Sequence, residues 1–137
     1  MSRLDHAATL DIEVPFHDCD PLFVVWHGRY FQYMQRAHSL LLRSHRLDVP
    51  DLLAMGYQMY VTDTRCRYMF PLSYGDTARI TAWFTTLRPL LRVAYDIRNV
   101  TKSRRCARAH TVTATTDTHG HLIRDTPDAL LKRLPQL

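Results

Sequence analysis

Residues 16–44, FHDCDPLFVVWHGRYFQYMQRAHSLLLRS, decide the fold of this chain because they join a polar loop to a long amphipathic helix. After residue 27 the apolar side chains recur every three or four positions, which is the spacing of one face of an α-helix. These side chains are Tyr30, Tyr33, Met34, Ala37, Leu40 and Leu41. The spacing predicts a helix over about residues 27–44, long enough to cross a small domain.

Strands are predicted on both sides of this helix. Residues 8–16 alternate between apolar and polar side chains, which indicates a strand before it. Four further strand candidates follow it: residues 58–70, 76–87, 91–97 and 105–116. Turn residues separate these four segments, so they predict successive hairpins in an antiparallel meander. Short helices are predicted at residues 50–56 and 127–134.

These elements predict an α+β fold. A helix with one apolar face and a sheet with one apolar face must bury those faces against each other. We therefore expect an antiparallel sheet of about five strands wrapped around one long central helix. At this length one domain is the default, and no repeat or linker interrupts the chain, so residues 1–137 are expected to form a single domain.

The acidic residues exclude several kinds of site. Of the 13 acidic residues, 12 are aspartates and only Glu13 is a glutamate. A four-helix di-metal site needs several glutamates, and an HExxH zinc protease needs a glutamate between two histidines. We therefore expect neither a metal nor a cofactor, and any catalytic carboxylate should be an aspartate.

Cysteine usage and hydropathy indicate where the protein functions. The three cysteines are widely spaced and form no CxxC pair, which is typical of a reducing cytosol. The beginning of the sequence has no apolar signal core, and no apolar run approaches the length of about 20 residues that a membrane span needs. We expect a cytoplasmic protein without a membrane partner.

The net charge of +5 comes from 16 arginines and two lysines. A nucleic-acid-binding protein should show a basic stripe with a recognition helix or interleaved aromatic residues. The arginines here are scattered, and the one dense cluster contains Lys102, Arg104 and Arg105. We therefore expect no nucleic-acid partner.

The polar loop HDCDP at residues 17–21 precedes the long helix. A helix start offers unpaired N–H groups and a positive dipole end, which can hold the oxyanion formed when a carbonyl is attacked. A nearby aspartate could attack that carbonyl or orient a water molecule. Aspartates before helices are most often caps or turn residues, so the residue pattern alone favours a structural role.

This segment resembles the active-site stretch of the 4-hydroxybenzoyl-CoA thioesterase family of hotdog-fold proteins. The resemblance rests on DCDP at residues 18–21 and on the VW pair that follows at residues 25–26. Related bacterial short-chain acyl-CoA thioesterases are similar through a D-x-D…V-V-x-H…Y pattern, here Asp18, Asp20, Val24, Val25, His27 and Tyr30. The order of elements matches over nearly the whole chain. The resemblance implies a hotdog fold and hydrolysis of an acyl thioester of coenzyme A or an acyl carrier protein.

The resemblance also implies roles for individual residues. Asp20 would be the catalytic carboxylate, as nucleophile or general base, and Asp18 would hold the loop. The backbone N–H groups of His27 and Gly28 would bind the thioester oxygen, while a catalytic role for the His27 side chain stays open. The residues expected to contact the substrate are Pro21, Trp26 and Tyr30. Another hotdog branch uses a glutamate on the long helix, where the nearest polar candidates of this chain are Gln35 and His38.

Partners follow from the same resemblance, which implies a homodimer, and often a homotetramer, with sites between subunits. Guanidinium groups bind phosphates in bidentate fashion, so Lys102, Arg104 and Arg105 could clamp the phosphates of coenzyme A or simply form a solubilising turn. Two alternatives stay open. One is a carrier-protein thioesterase of a polyketide or fatty-acid pathway, and the other is a non-catalytic protein that binds acyl thioesters.

Overall fold

A computed structural model of the protein describes residues 3–137. The helices are α1 (Arg3–His6), α2 (Tyr30–Ser44), α3 (Val49–Met55) and α4 (Asp128–Leu131). The strands are β1 (Ala8–Glu13), β2 (Tyr57–Tyr68), β3 (Thr77–Thr86), β4 (Leu91–Asn99), β5 (Arg104–Asp117) and β6 (Leu122–Ile123). Within residues 3–137, no helix is long and apolar enough to span a membrane.

The strands form one antiparallel sheet of six strands, in the order β1-β3-β4-β5-β2, with β6 paired to the end of β5. The predicted meander is therefore correct for β3, β4 and β5 but wrong for β2. Instead of forming a hairpin with β3, β2 pairs with β5 at the far edge. The connection from β2 to β3 crosses the end of the sheet and bonds to other loops: Val25 N–H donates to the Leu72 carbonyl at 2.8 Å, and Gly75 N–H donates to the Val14 carbonyl at 3.1 Å.

Helix α2 lies across one face of the sheet and contacts β1 and β3. Its first turn is a 3-10 turn at His27–Arg29, and the α-helix proper begins at Tyr30. The predicted apolar face is buried, and β3 buries its alternate residues Ala78, Ile80, Ala82 and Phe84 on the side of the sheet that α2 covers. Burying a large apolar side chain is worth about 1.5–3 kcal/mol, so these faces hold the helix to the sheet.

The segment after α2 places a short helix beside β2. Asp48 caps α3 through a capping box with Asp51, which satisfies N–H groups at the helix start. The helix stops at Gly56, whose φ of 89° is a left-handed conformation that glycine adopts without strain. Helix α3 contacts β2, which begins at Tyr57, directly after Gly56.

Candidate active site

The loop that precedes α2 is a tightly bonded hairpin. Cys19 pairs with Val25 in an isolated β-bridge, and the Asp20 N–H donates to the Val24 carbonyl at 2.8 Å. Phe23 turns the chain with a φ of 65°. A second bridge, between Val24 and Ser73, ties the hairpin to the β2–β3 connection. The backbone of Asp20 is therefore held from both sides.

Asp18 anchors this loop to the helix. Its side chain is buried, and the Tyr33 hydroxyl of α2 donates a hydrogen bond of 2.6 Å to Oδ2. Oδ1 lies 3.7 Å from Arg29 Nε and 3.4 Å from His17 Nε2. Burial and the bond to this carboxylate raise the pKa of Tyr33, so the phenol stays a donor. All of these contacts join Asp18 to its own chain.

Asp20 has a different environment from Asp18. It is half-buried, and its Oδ1 accepts a hydrogen bond of 2.8 Å from the Leu22 N–H. In the described part of the chain, Oδ2 of Asp20 has no hydrogen-bond partner. One carboxylate oxygen is thus fixed by the turn, while the other is available to a water molecule or a substrate.

The helix start lies directly after this hairpin. A helix leaves its first N–H groups without an intrahelical acceptor, and here those groups belong to His27 and Gly28. A β-carbon at Gly28 would collide with the Trp26 ring, so glycine permits that ring to pack across the helix start. The His27 carbonyl accepts a 2.8 Å hydrogen bond from the Tyr68 hydroxyl of β2. Burial raises the pKa of Tyr68 to about 12, so it remains a donor at neutral pH.

His27 and Tyr30 line a groove of about 280 Å³ between the helix start and the C-terminal end of β2. The other lining residues are Val25, Tyr68, Met69, Phe70 and Pro71. Tyr30 is almost fully buried, and its ring meets that of Tyr68 edge-on at 4.9 Å. The Trp26 ring lies 5.0 Å from that of His27, whereas Pro21 is exposed beside Asp20.

The three residues of the basic cluster are not brought together. Lys102 pairs with Asp76 at 3.1 Å, and Arg105 pairs with Asp96 at 2.9 Å. The Arg104 guanidinium lies 4.4 Å from the centre of the Phe70 ring, which lines the groove at His27. Of the three, Arg104 is the residue placed beside that groove.

The structure instead gathers other arginines on the outer face, which we define as the face of the sheet opposite α2. A second groove of about 780 Å³ runs over this face, with one acidic lining residue, Asp96. Its basic lining residues are Arg65, Arg67, Arg92, Arg105, Arg108 and His110, and Trp83 lies among them. These residues are distant in sequence but adjacent across β2, β3, β4 and β5. The scattered charges of the sequence therefore form one basic surface.

The thiol of Cys19 lies between the two aspartates of the loop. Burial raises the pKa of the Cys19 thiol, and the charges of Asp18 and Asp20 raise it further. A protonated thiol is a weak nucleophile. Among residues 3–137, no three His, Cys, Asp or Glu side chains lie close enough together to hold a metal ion.

Two contacts of this site were missed by sequence reasoning, those of Tyr33 and Tyr68. Tyr33 follows Tyr30 by three positions on the buried face of α2, so its spacing indicated packing and gave no sign of the bond to Asp18. Tyr68 lies at the end of a strand whose partner was assigned incorrectly. Its contact with the His27 carbonyl depends on where β2 lies in the sheet.

Comparison with known proteins shows one family. The profile of the thioesterase-like superfamily matches residues 14–134. YneP of Bacillus subtilis (strain 168), named as a candidate acyl-CoA thioesterase, is 28% identical over 78 residues, which cover 57% of this chain and 56% of that protein. The chain spans about half the length of the curated relatives it matches.

Solved structures show the fold. Slr0204, a 1,4-dihydroxy-2-naphthoyl-CoA thioesterase from Synechocystis, is similar with a TM-score of 0.81 and 18% identity, covering 93% of this chain and 95% of that one. A mutant of 4-hydroxybenzoyl-CoA thioesterase, complexed with 4-hydroxybenzoyl-CoA, gives a TM-score of 0.84 and 16% identity, with 95% and 99% covered. Both are hotdog-fold proteins, so the predicted hotdog architecture is confirmed.

Proposed function

The chain belongs to the thioesterase-like superfamily, and on this premise we propose that it hydrolyses the thioester bond of an acyl-CoA. The observation that carries the proposal is the free Oδ2 of Asp20, held on a rigid hairpin just before the helix start. The related proteins named as CoA thioesterases support the same substrate class.

The proposed reaction adds water across the carbon–sulfur bond. The water oxygen, or Asp20 Oδ2 itself, bonds to the carbonyl carbon, and the N–H groups of His27 and Gly28 stabilise the oxyanion. The carbon–sulfur bond then breaks, and one proton from water ends on the departing thiolate. If Asp20 attacks, water hydrolyses the resulting anhydride. In a single turnover in ¹⁸O-labelled water, general-base catalysis puts ¹⁸O in the product acid, whereas direct attack followed by hydrolysis at the Asp20 carboxyl carbon puts ¹⁸O in Asp20 and none in the product.

We also propose that two copies pair through β2. This strand forms one edge of the sheet, and an edge strand presents unpaired N–H and C=O groups. Its 12 residues are mostly exposed and include the large side chains of Tyr60, Val61 and Tyr68. Covering such an edge with a second copy gives a continuous sheet and a site between subunits, as the resemblance implies.

The phosphates of coenzyme A are proposed to bind near Arg104. This guanidinium lies beside the groove at His27 and has no carboxylate partner among the described residues. Lys102 and Arg105 would have to exchange their pairing with Asp76 and Asp96 for a phosphate. Arg104 is therefore the first residue of the cluster to test.

A second candidate substrate is an acyl group on an acidic carrier protein. The basic outer face favours it, because a surface with at least five arginines and one acidic lining residue is complementary to an acidic protein. Neutralising arginines on that face, with Arg65→Ser and Arg108→Ser, should slow turnover of carrier-bound substrates and leave CoA substrates unaffected. Equal effects on both substrates would remove this candidate.

Hydrolysis of a panel of acyl-CoAs and acyl-carrier thioesters tests the proposal directly. Asp20→Asn should lower kcat/KM by about 10²–10⁴-fold, the usual contribution of a catalytic base. The matched control is Asp128→Asn on the surface of α4, which should keep full activity. Full activity of Asp20→Asn would contradict the assignment. Retained binding without turnover of any thioester by the wild-type protein would identify a non-catalytic binder instead.

A further inference from the structure

A separate cavity of about 380 Å³ lies where α2, α3 and β2 meet. Half of its lining residues are apolar and non-aromatic: Leu42, Leu47, Val49, Leu52, Leu53, Met59 and Val61. Such a lining suits a flexible hydrocarbon chain. We call this space the His38 cavity, after the buried histidine that faces it from α2.

Two buried polar side chains in the His38 cavity have no hydrogen-bond partner. His38 is only 6% exposed, and Thr113 of β5 is 3% exposed. Across residues 3–137, Oγ1 of Thr113 is fully buried without a hydrogen-bond partner, and the His38 ring, whose nitrogens keep some accessible surface, makes no hydrogen bond. Leaving a buried polar group without a partner is costly in free energy, so buried groups normally have partners. A single ligand that reaches both groups can satisfy them together.

The charge of the cavity restricts that ligand. Burial lowers the pKa of His38 to about 4, so the ring is neutral at pH 7, with one donor and one acceptor nitrogen. The Thr113 hydroxyl can also donate and accept. No lysine or arginine lines the cavity among the described residues, and Asp48 is its one charged side chain. The site therefore disfavours an anionic group and fits a neutral oxygen.

We propose that the His38 cavity binds an aliphatic acyl chain that carries a hydroxyl or ketone oxygen, which hydrogen-bonds to His38 and Thr113. This inference rests on the proposed thioesterase function and names its substrate class. A hydroxyl can serve both partners at once, by donating to one and accepting from the other. A ketone oxygen accepts from both.

In the dimer proposed above, the cavity faces the catalytic loop of the second copy. Met59 lines the cavity at one end of β2, whereas Tyr68 holds the His27 carbonyl at the other. Nine residues of strand separate them by roughly 30 Å, too far for one acyl chain of ordinary length. Antiparallel pairing of two β2 strands about a two-fold axis places the first end of one strand beside the second end of the other. Asp20 of one copy and His38 of the other then share a site.

Matched substrates test the ligand chemistry. The probes are CoA thioesters of saturated chains of six to twelve carbons, each unsubstituted or with one hydroxyl or one ketone along the chain. For the wild type, kcat/KM for the best oxygenated probe should exceed that for its unsubstituted match by about 10–100-fold, the discrimination expected when a substrate oxygen pairs a buried polar group. His38→Leu and Thr113→Val should each reduce this ratio at least about fivefold. Thr111→Val is the control, because Thr111 already bonds to Tyr95 and does not line the cavity.

Mixed oligomers test the sharing of the site. Co-expressed Asp20→Asn and His38→Leu chains contain pairs in which one site has both intact residues and the other has neither. Such pairs should recover the wild-type preference for the oxygenated probe, although neither variant alone does. If both residues act within one chain, mixing recovers nothing and the shared site is refuted.

A failure of the proposed function and a failure of the cavity proposal give different results. If no thioester is hydrolysed, the proposed function fails. The cavity is then tested by the NMR shifts of His38 on binding the oxygenated and unsubstituted thioesters, and equal shifts overturn it. If all probes are hydrolysed with equal kcat/KM, or if His38→Leu and Thr113→Val leave the ratio unchanged in folded protein, the function stands and the cavity proposal is wrong.

Discussion

Buried polar groups have hydrogen-bond partners at the start of α2 but lack them at its middle. At the start, the carboxylate of Asp18 is bonded to Tyr33 and lies near Arg29 and His17, all from its own chain. In the middle, His38 and Thr113 are buried at least as deeply and have no partner within the described residues. The sheet and helix that carry both regions are the same.

This contrast separates scaffold from binding site. Polar groups that hydrogen-bond to each other within the chain stabilise one conformation, because breaking such a bond leaves a buried polar or charged group without a partner. Groups left unpaired reduce the stability of the empty protein and increase the affinity for a ligand that pairs them. By this criterion Asp18 supports the hairpin, whereas Asp20 and the His38 cavity are left available for substrate.

The largest effect on stability should come from removing Asp18. Asp18→Ala leaves the Tyr33 hydroxyl without its acceptor and removes the ion pair with Arg29, and losing a buried carboxylate that accepts a hydrogen bond costs about 3 kcal/mol in the free energy of unfolding. Asp20→Ala is the matched control and should cost about 1 kcal/mol, since it loses one exposed hydrogen bond to the Leu22 N–H. Urea unfolding measures both. Equal losses would show that the two aspartates do not differ in role.

His38 predicts a loss of stability in acid. Its pKa of about 4 in the folded protein is below the usual 6.5, so the unfolded chain binds more protons between these pH values. The free energy of unfolding should therefore fall by about 3 kcal/mol as the pH drops from 6.5 to 4. The control is the His38→Gln variant, which loses the titration of His38. It keeps the other titratable groups, including Asp48 in the cavity and His110 on the outer face. If both proteins lose equal stability over this range, His38 is not buried in its neutral form.

Local elements of the fold could be read from the sequence, but their arrangement could not. Apolar side chains every three or four residues located α2, and alternation located β3 and β4, because burial on one face imposes those periods. The position of β2 beside β5 is a long-range pairing that local patterns do not encode. Lys102, Arg104 and Arg105 are neighbours in sequence, but Lys102 lies in a turn and side chains alternate between the two faces of a strand. Their side chains therefore contact different residues: Asp76, Phe70 and Asp96.

The site was partly visible in the sequence for a related reason. Resemblance of the DCDP run indicated Asp20 and the helix start, because these lie in one contiguous segment. The His38 cavity joins residues from α2, α3, β2 and β5, so no single segment contains it. One signal was present: His38 follows Met34 by four positions and precedes Leu41 by three, which placed a histidine on the apolar face of the helix.

A smaller effect is expected for Tyr33→Phe, which removes only the hydroxyl that donates to Asp18. A hydrogen bond to a charged group is worth about 1.5–3 kcal/mol, so the free energy of unfolding should fall by about 2 kcal/mol. The double variant Tyr33→Phe with Asp18→Ala should lose less than the sum of the two single variants, because they share one bond. Additive losses in urea unfolding would mean that the bond does not anchor the loop.

The smallest expected change in the free energy of unfolding is that of Thr113→Val, and its sign tests whether Thr113 is unpaired. Thr113→Val keeps the shape of the side chain and removes an unpaired hydroxyl, so it should raise the free energy of unfolding by about 1 kcal/mol. Thr111→Val, two residues earlier on the same face of β5, breaks a 2.8 Å bond to the Tyr95 hydroxyl and should lower it by about 1 kcal/mol. Opposite signs for two adjacent and chemically identical substitutions would show that Thr113 is held unpaired at a cost to the empty protein. If both substitutions destabilise, Thr113 has a partner of its own and is not reserved for a ligand.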